Sequence, residues 1–251
     1  MSYQQYRPNS FKLLPPVVKN LLILNGLFYL ATLAIESQYK IDLSEMLGLH
    51  YPLAESFRPY QLVTYMFMHG SFMHLFFNMF ALWMFGNVLE DYWGPKKFLT
   101  YYMVTGIGAG LMQIIVTYFR LNSLYAQISP EDLNMVMTQG AGILREGKNF
   151  IDTTSGEINV LLNTATIGAS GAVFGILLAF GMLFPNTLLY VYFAIPIKAK
   201  WFVMIYGAME LFSGIANKPE DNVAHFAHLG GMLFGFILIK LWQKRSNTKT
   251  F

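Results

Sequence analysis

Long, uninterrupted runs of apolar residues limit the fold of this chain more than any other feature. A helix needs about 20 apolar residues to cross the hydrocarbon core of a bilayer. Runs that approach this length extend over 21–35, 72–88, 98–119, 167–184, 201–215 and 223–242. Because 55% of the 251 residues are hydrophobic and only 12% are charged, a water-soluble domain of this size is excluded. The sequence therefore predicts an all-α membrane protein, a bundle of six transmembrane helices.

Two longer polar segments interrupt the apolar runs, and we expect both to be external loops. They cover about 36–60 and 120–165, and the second has the pattern of an amphipathic helix over 130–144. The apolar run 188–197 is too short to cross a bilayer, so we expect a connection near the membrane surface. These assignments predict one membrane domain over 21–242, between an N-terminal segment 1–20 and a tail 243–251.

The distribution of basic residues predicts how the helices are oriented. Loops rich in lysine and arginine stay on the cytoplasmic side of a membrane, and most of the 17 such residues fall there if both termini are cytoplasmic. A cleaved signal peptide over the first run is the less favoured alternative, since no good cleavage site follows it. The short tails and the lack of a transit peptide predict a bacterial cytoplasmic membrane. The sequence has no run of basic residues of the kind that binds nucleic acid. The lack of cysteine excludes cysteine-based metal sites.

The few polar side chains inside the predicted spans are the best indication of function, because ionisable groups in a bilayer are costly and usually functional. The second, fourth and sixth helices run in the same direction, so their early residues lie at one depth. The polar residues at this depth are His74, Asn78, Ser170 and His228. We expect these three helices to form a shared pocket that water can reach.

Glycines four residues apart predict where helices approach closely. Such pairs occur at Gly106/Gly110, Gly171/Gly175 and Gly231/Gly235, and small residues at this spacing form packing surfaces between membrane helices. Close helix contact is what would bring Ser170 within reach of His228.

The residue types in the pocket favour nucleophilic chemistry. No His-Glu-x-x-His motif is present, and Glu210 is the only acid well inside a predicted span, so the known intramembrane metalloprotease and aspartyl protease patterns are both absent. Ser170 and His228 supply a nucleophile and a general base. No carboxylate is expected to orient His228, which implies a dyad without an acid. We expect Glu210 to bond a neighbouring helix, and His225 to have a supporting role.

Three motifs in order resemble the rhomboid family of intramembrane serine proteases. They are His74-x-x-x-Asn78, Gly168-Ala169-Ser170-Gly171 and Ala227-His228-x-x-Gly231-x-x-x-Gly235, on the second, fourth and sixth predicted spans. The likeness covers about 61–240 and implies a rhomboid-like six-helix bundle. It also implies that Ser170 is the nucleophile and His228 the base, that His74, Asn78 and the Ser170 amide stabilise the oxyanion, and that Gly168 lets the backbone approach the substrate carbonyl.

The resemblance implies a serine endopeptidase that cleaves single-pass or polytopic membrane proteins near their extracytoplasmic ends, in a lipid bilayer, without cofactor or metal. Two alternatives stay open. One is a non-catalytic relative that binds membrane proteins, and the other is a transporter or proton channel that uses His74, His225 and His228 as a relay. The chain departs from the family at Tyr60-Gln61, where members carry a Trp-Arg pair that anchors the first loop. The sequence does not determine an oligomeric state.

Overall fold

A computed structural model describes residues 14–191, 194–216 and 224–248, and these fold mainly into helices. The helices are α1 (Pro16–Tyr39), α2 (Leu43–Leu47), α3 (Gln61–Thr64), α4 (Phe72–Trp93), α5 (Pro95–Tyr125), α6 (Pro130–Arg145), α7 (Thr153–Asn163), α8 (Ser170–Leu183), α9 (Ala199–Ala216) and α10 (His225–Thr248). Most of the predicted N-terminal segment, residue 223 of the sixth predicted span and the end of the tail lie outside the described residues.

Four of the described helices have the length and apolar composition of membrane spans. Within the described ranges α1, α4, α5 and α10 are long and apolar enough to cross a bilayer, and α8 is apolar but shorter. The prediction of a helical membrane protein is therefore confirmed, while six spans stays a prediction. At ~1.5 Å per residue, the 14 residues of α8 reach only about 21 Å. Most residues of this helix are buried, and it packs against α4, α5, α9 and α10.

Local signals in the sequence explain where the elements begin. Pro16 and Pro95 stand in the first turns of α1 and α5, where a missing backbone N–H costs nothing. Ser71 caps α4 by accepting a hydrogen bond from the His74 amide, at 3.1 Å. The helix predicted over 130–144 is confirmed as α6, whereas α7 was not predicted; Asp152 caps it by accepting from the Ser155 amide.

The connection after α8 has a structure that the sequence did not indicate. Strands β1 (Leu188–Val191) and β2 (Ile195–Lys198) pair in an antiparallel hairpin. Pro196 lies opposite Tyr190 in this register, which a two-stranded sheet tolerates because both strands are edge strands. The run is thus a connection between α8 and α9, as expected, and its described residues form the two paired strands.

Glycines let α8 pack directly against the backbone of α10 and the side chains of α5. A Cβ added at Gly231 would fall on the carbonyl oxygen of Gly171, and one at Gly171 would meet Ala109. One at Gly175 would meet Thr105. The close approach of the three helices places the start of α8 beside the first turns of α10.

Gly231→Ala is expected to force α10 away from α8. The new methyl group would overlap backbone, which cannot rotate aside, so we expect a loss of about 3 kcal/mol in the free energy of unfolding, the upper part of the range for overpacked cores. Thermal unfolding of the purified protein in detergent measures this loss. Gly26→Ala in α1 is the matched control, because a Cβ there has no neighbour within 4 Å. Equal stability of the two variants would contradict the direct contact between α8 and α10.

Gln61 anchors the loop between α2 and α3. It belongs to the Tyr60-Gln61 pair, which stands where the rhomboid family carries Trp-Arg. The Gln61 side chain is fully buried. It makes hydrogen bonds of 2.9–3.3 Å with backbone groups of Met46, His50, Ser56 and Arg58. One amide side chain therefore fixes this loop from inside.

Candidate active site

Ser170 is the first residue of α8, and the chain reaches it through a glycine that no other residue replaces easily. Gly168 has a φ of +126°, a conformation that side chains disfavour. Its amide donates to the Tyr65 carbonyl at 2.9 Å, and just before it Thr166 pairs with Leu49 in a β-bridge. These contacts hold Ser170 at the N-terminal end of α8, where the first backbone N–H groups have no partner within the helix.

The hydroxyl of Ser170 contacts the ring of His228 on α10. The distance from Ser170 Oγ to His228 Nε2 is 2.7 Å, and His228 is 8% exposed. The other ring nitrogen, Nδ1, lies 2.8 Å from Glu210 Oε2 on α9. Because an ionised carboxylate only accepts hydrogen bonds, Nδ1 carries the proton and Nε2 accepts from the Ser170 hydroxyl. His228 is thus in the tautomer that a general base needs.

The expectation that no carboxylate orients His228 is wrong. Glu210 binds His228 directly, and the same Oε2 atom lies 2.7 Å from His225 Nδ1. The expected contact between Glu210 and a neighbouring helix is confirmed, and that helix is α10. An almost wholly apolar helix such as α9 gives no sequence signal for the face that meets α10, so the contact could not be predicted.

Phe174 is a further site residue that the sequence analysis missed. Its ring stacks on the His228 imidazole, with centroids 4.2 Å apart and planes 7° from parallel. Phe174 follows Ser170 by four residues, which places both on one face of α8. That spacing was the available signal. The stacking fixes the plane of the imidazole ring. The hydrogen bond from Nδ1 to Glu210 fixes which way the ring points within that plane.

The remaining candidate residues lie around one cavity of about 1200 Å³, which is also lined by Ser170 and His228. His74 packs so closely on Gly168 that a Cβ there would lie 2.8 Å from His74 Nε2. Asn78 donates through Nδ2 to the His74 carbonyl at 2.9 Å. The ring of His69 makes an edge contact with that of His74, and burial together with the nearby His74 lowers the pKa of His69 to about 4. His69 is therefore neutral at physiological pH.

The cavity extends in two directions from Ser170. In one direction it is lined by Phe77 and Met84 of α4 and by Phe202 and Tyr206 of α9. Toward the Ser170 end of the bundle it reaches α7, where Glu157 pairs with Arg120 at 2.6 Å. The segment 120–165 thus forms a wall of the cavity.

One group of described residues has the composition of a metal site. Glu210, His225 and His228 offer ligand atoms that all lie within 4.8 Å of one another.

Comparison with known proteins agrees with the motifs. A model of the Rhomboid domain matches residues 56–245. The chain is 26% identical to an uncharacterized mitochondrial rhomboid protein of Schizosaccharomyces pombe, over 75% of this chain and 53% of that protein. It is 30% identical to the mitochondrial RHOMBOID-like protein 12 of Arabidopsis thaliana, over 70% and 44%, and 26% identical to the rhomboid protease AarA of Providencia stuartii, over 69% and 52%. The chain spans about half the length of these relatives.

The predicted location in a bacterial cytoplasmic membrane is wrong. Relatives from Schizosaccharomyces pombe and Saccharomyces cerevisiae and one from Arabidopsis thaliana are named mitochondrial, and another from Arabidopsis thaliana is named chloroplastic. The prediction rested on short tails and on the lack of a transit peptide, and neither feature identifies which membrane holds the chain.

Proposed function

The chain belongs to the rhomboid family, and on this premise we propose that it is a serine endopeptidase that cleaves membrane-spanning proteins within the bilayer. The observation that carries the proposal is the 2.7 Å contact between Ser170 Oγ and His228 Nε2. Nucleophile and base come from different helices, and a third group holds the base in the required tautomer, which is the arrangement that activates serine hydroxyls.

Peptide cleavage follows from the hydrogen bonds of Ser170 and His228. As Ser170 Oγ attacks the substrate carbonyl, its proton moves to His228 Nε2, and the imidazolium then gives this proton to the leaving amine. Water repeats the sequence to release the acyl group from Oγ. Glu210 accepts from Nδ1 throughout and stabilises the imidazolium. A positioned base contributes roughly 10²- to 10⁴-fold to the rate.

The negative charge on the carbonyl oxygen needs donors, and three candidates surround Ser170. The Ser170 amide lies at the helix N-terminus, where partial positive charge accumulates. His74 and Asn78 line the same cavity and would complete the oxyanion site after their side chains turn toward the substrate. One such donor is worth on the order of 10²- to 10³-fold. Gly168 keeps the approach to these donors open.

Substrate is proposed to enter from the bilayer between α4 and α9. Both helices contribute aromatic residues to the cavity, Phe77 from α4 and Phe202 from α9 among them. A substrate helix must unwind before its backbone can reach Ser170, so sequences with small residues at the cut and Gly or Pro nearby are favoured. In this arrangement α8 and α9 complete a single six-span domain over 21–242, with 1–20 and 243–251 as its ends.

Labelling with a serine-reactive fluorophosphonate tests the proposal without knowledge of the substrate. The wild-type protein is expected to be labelled at Ser170, because His228 makes this hydroxyl nucleophilic, and Ser170→Ala is expected to remain unlabelled. Mass spectrometry of the labelled peptide locates the adduct. A folded wild-type protein that resists labelling would favour the alternative of a non-catalytic relative that binds membrane proteins.

A further inference from the structure

His225 is the polar residue of the site that the proposed mechanism does not use. Glu210 and Phe174 already hold His228, yet His225 directs Nδ1 at the same carboxylate oxygen. The side chains of His225, Glu210 and His228 are 13%, 12% and 10% exposed. Two imidazoles and one carboxylate therefore converge in a half-enclosed position behind the base.

We propose that Glu210, His225 and His228 bind a zinc-like divalent transition metal ion, and that this ion inhibits the enzyme. The inhibition rests on the proposed protease function, while the binding does not. Two histidines and a glutamate, with a fourth position for water, form a ligand set that Zn²⁺ occupies in proteins. Hard cations such as Mg²⁺ and Ca²⁺ prefer ligand sets made only of oxygen.

The distances are compatible with metal binding after a small separation of the side chains. The two nitrogens lie 2.7 and 2.8 Å from Glu210 Oε2, as expected when protons join them. Zinc bonds of about 2.0–2.1 Å in a tetrahedral site set ligand atoms about 3.3 Å apart. Each nitrogen would move about half an ångström away from Glu210 Oε2, and the two nitrogens, which lie within 4.8 Å of one another, would settle at a similar separation of about 3.3 Å, so that the ion takes the place of the two protons.

Metal binding would remove the general base through a change of tautomer. The ion bonds the lone pair of His228 Nδ1, so the proton of the neutral ring must lie on Nε2. Solvent takes the proton from Nδ1 and returns one to Nε2, and the ring keeps its charge. Nε2 then donates to Ser170 Oγ and cannot accept its proton. The bound ion thus leaves the nucleophile in place without a base.

Cleavage assays of the purified wild-type protein test the inhibition. Zn²⁺ is expected to stop cleavage of a membrane-spanning reporter, a chelator to restore it, and Mg²⁺ and Ca²⁺ to have no effect. His225→Gln is expected to raise the half-inhibitory zinc concentration at least about tenfold, each variant being compared with its own metal-free rate. His225→Asn is a second variant should the first fail to fold. His50→Gln is the control, because His50 also lines the cavity but lies outside the cluster.

Cobalt absorption tests the site independently of catalysis. Co²⁺ added to Ser170→Ala protein is expected to give the visible bands of a tetrahedral ion at one equivalent, and His225→Gln in the same background is expected to lose them. Absence of these bands, or zinc inhibition unchanged by both His225 variants, would overturn the proposed metal site. Cobalt binding by a protein that shows neither cleavage nor labelling would instead leave the metal site standing and contradict the protease.

Discussion

Ser170→Ala is expected to abolish cleavage of a membrane-spanning substrate, with a loss of at least about 10⁴-fold in kcat. Removal of the serine nucleophile lowers kcat on the order of 10⁶-fold in a well-studied soluble protease. The rate that remains in such a variant comes from direct attack of water on the substrate. The fold should survive, because the only hydrogen bond that the Ser170 side chain makes among the described residues is the one with His228. The substitution removes a single oxygen atom, so it leaves no large cavity.

The measurement is cleavage of a reporter helix by purified protein in liposomes, with unfolding temperature as the check on folding. Ser123→Ala is the matched control, since Ser123 is an exposed serine at the end of α5 far along the chain from the site. Cleavage by a folded Ser170→Ala protein at the wild-type rate would remove Ser170 from the mechanism.

The same variant separates the protease from the histidine relay that the sequence leaves open. A proton channel through His74, His225 and His228 would conduct in vesicles without Ser170. In the structure His225 and His228 share the Glu210 carboxylate, whereas His74 packs on Gly168 and forms an edge contact with His69. Loss of cleavage without any flux would therefore favour the protease.

Residue types and their order made much of the site predictable. Ser170 and His228 are rare polar groups in apolar helices, and because their two predicted spans run in the same direction, the sequence places them at one depth. The glycine spacing indicated the close packing of α8 and α10, because a missing side chain has one evident use between membrane helices.

Contacts that depend on the rotation of a helix were not predictable. Glu90 is an example: its carboxylate accepts hydrogen bonds from the amides of Val17 and Val18, at 2.9 and 2.8 Å, and so caps α1 from the end of α4. Gln61 replaces a family anchor through four backbone contacts that involve residues up to 15 positions away. In each case one polar side chain satisfies groups distant in sequence, and a single chain carries no pattern that pairs them.

Glu210 is the most consequential contact of this kind, and Glu210→Gln is expected to lower kcat by roughly 10²- to 10⁴-fold. The glutamine is nearly the same size, but it has lost the charge that stabilises the imidazolium. Its amide can also donate to His228 Nδ1, which would move the ring proton to Nε2. Nε2 could then no longer accept the proton of Ser170. The comparable change of aspartate to asparagine in a soluble serine protease costs about 10⁴-fold.

The division between kinetic constants distinguishes this role from a structural one. Because Glu210 acts through His228 and does not touch the substrate, Glu210→Gln should lower kcat while KM stays near its wild-type value. Glu210→Asp keeps the charge, but its side chain is one methylene shorter and the carboxylate lies farther from His228. We therefore expect a kcat between those of the wild type and of Glu210→Gln. Glu157→Gln is the control, a carboxylate at the cavity wall that pairs with Arg120. A kcat for Glu210→Gln equal to that of this control would mean that Ser170 and His228 function as a dyad, as the sequence alone had predicted, and that the carboxylate contributes only to packing between α9 and α10.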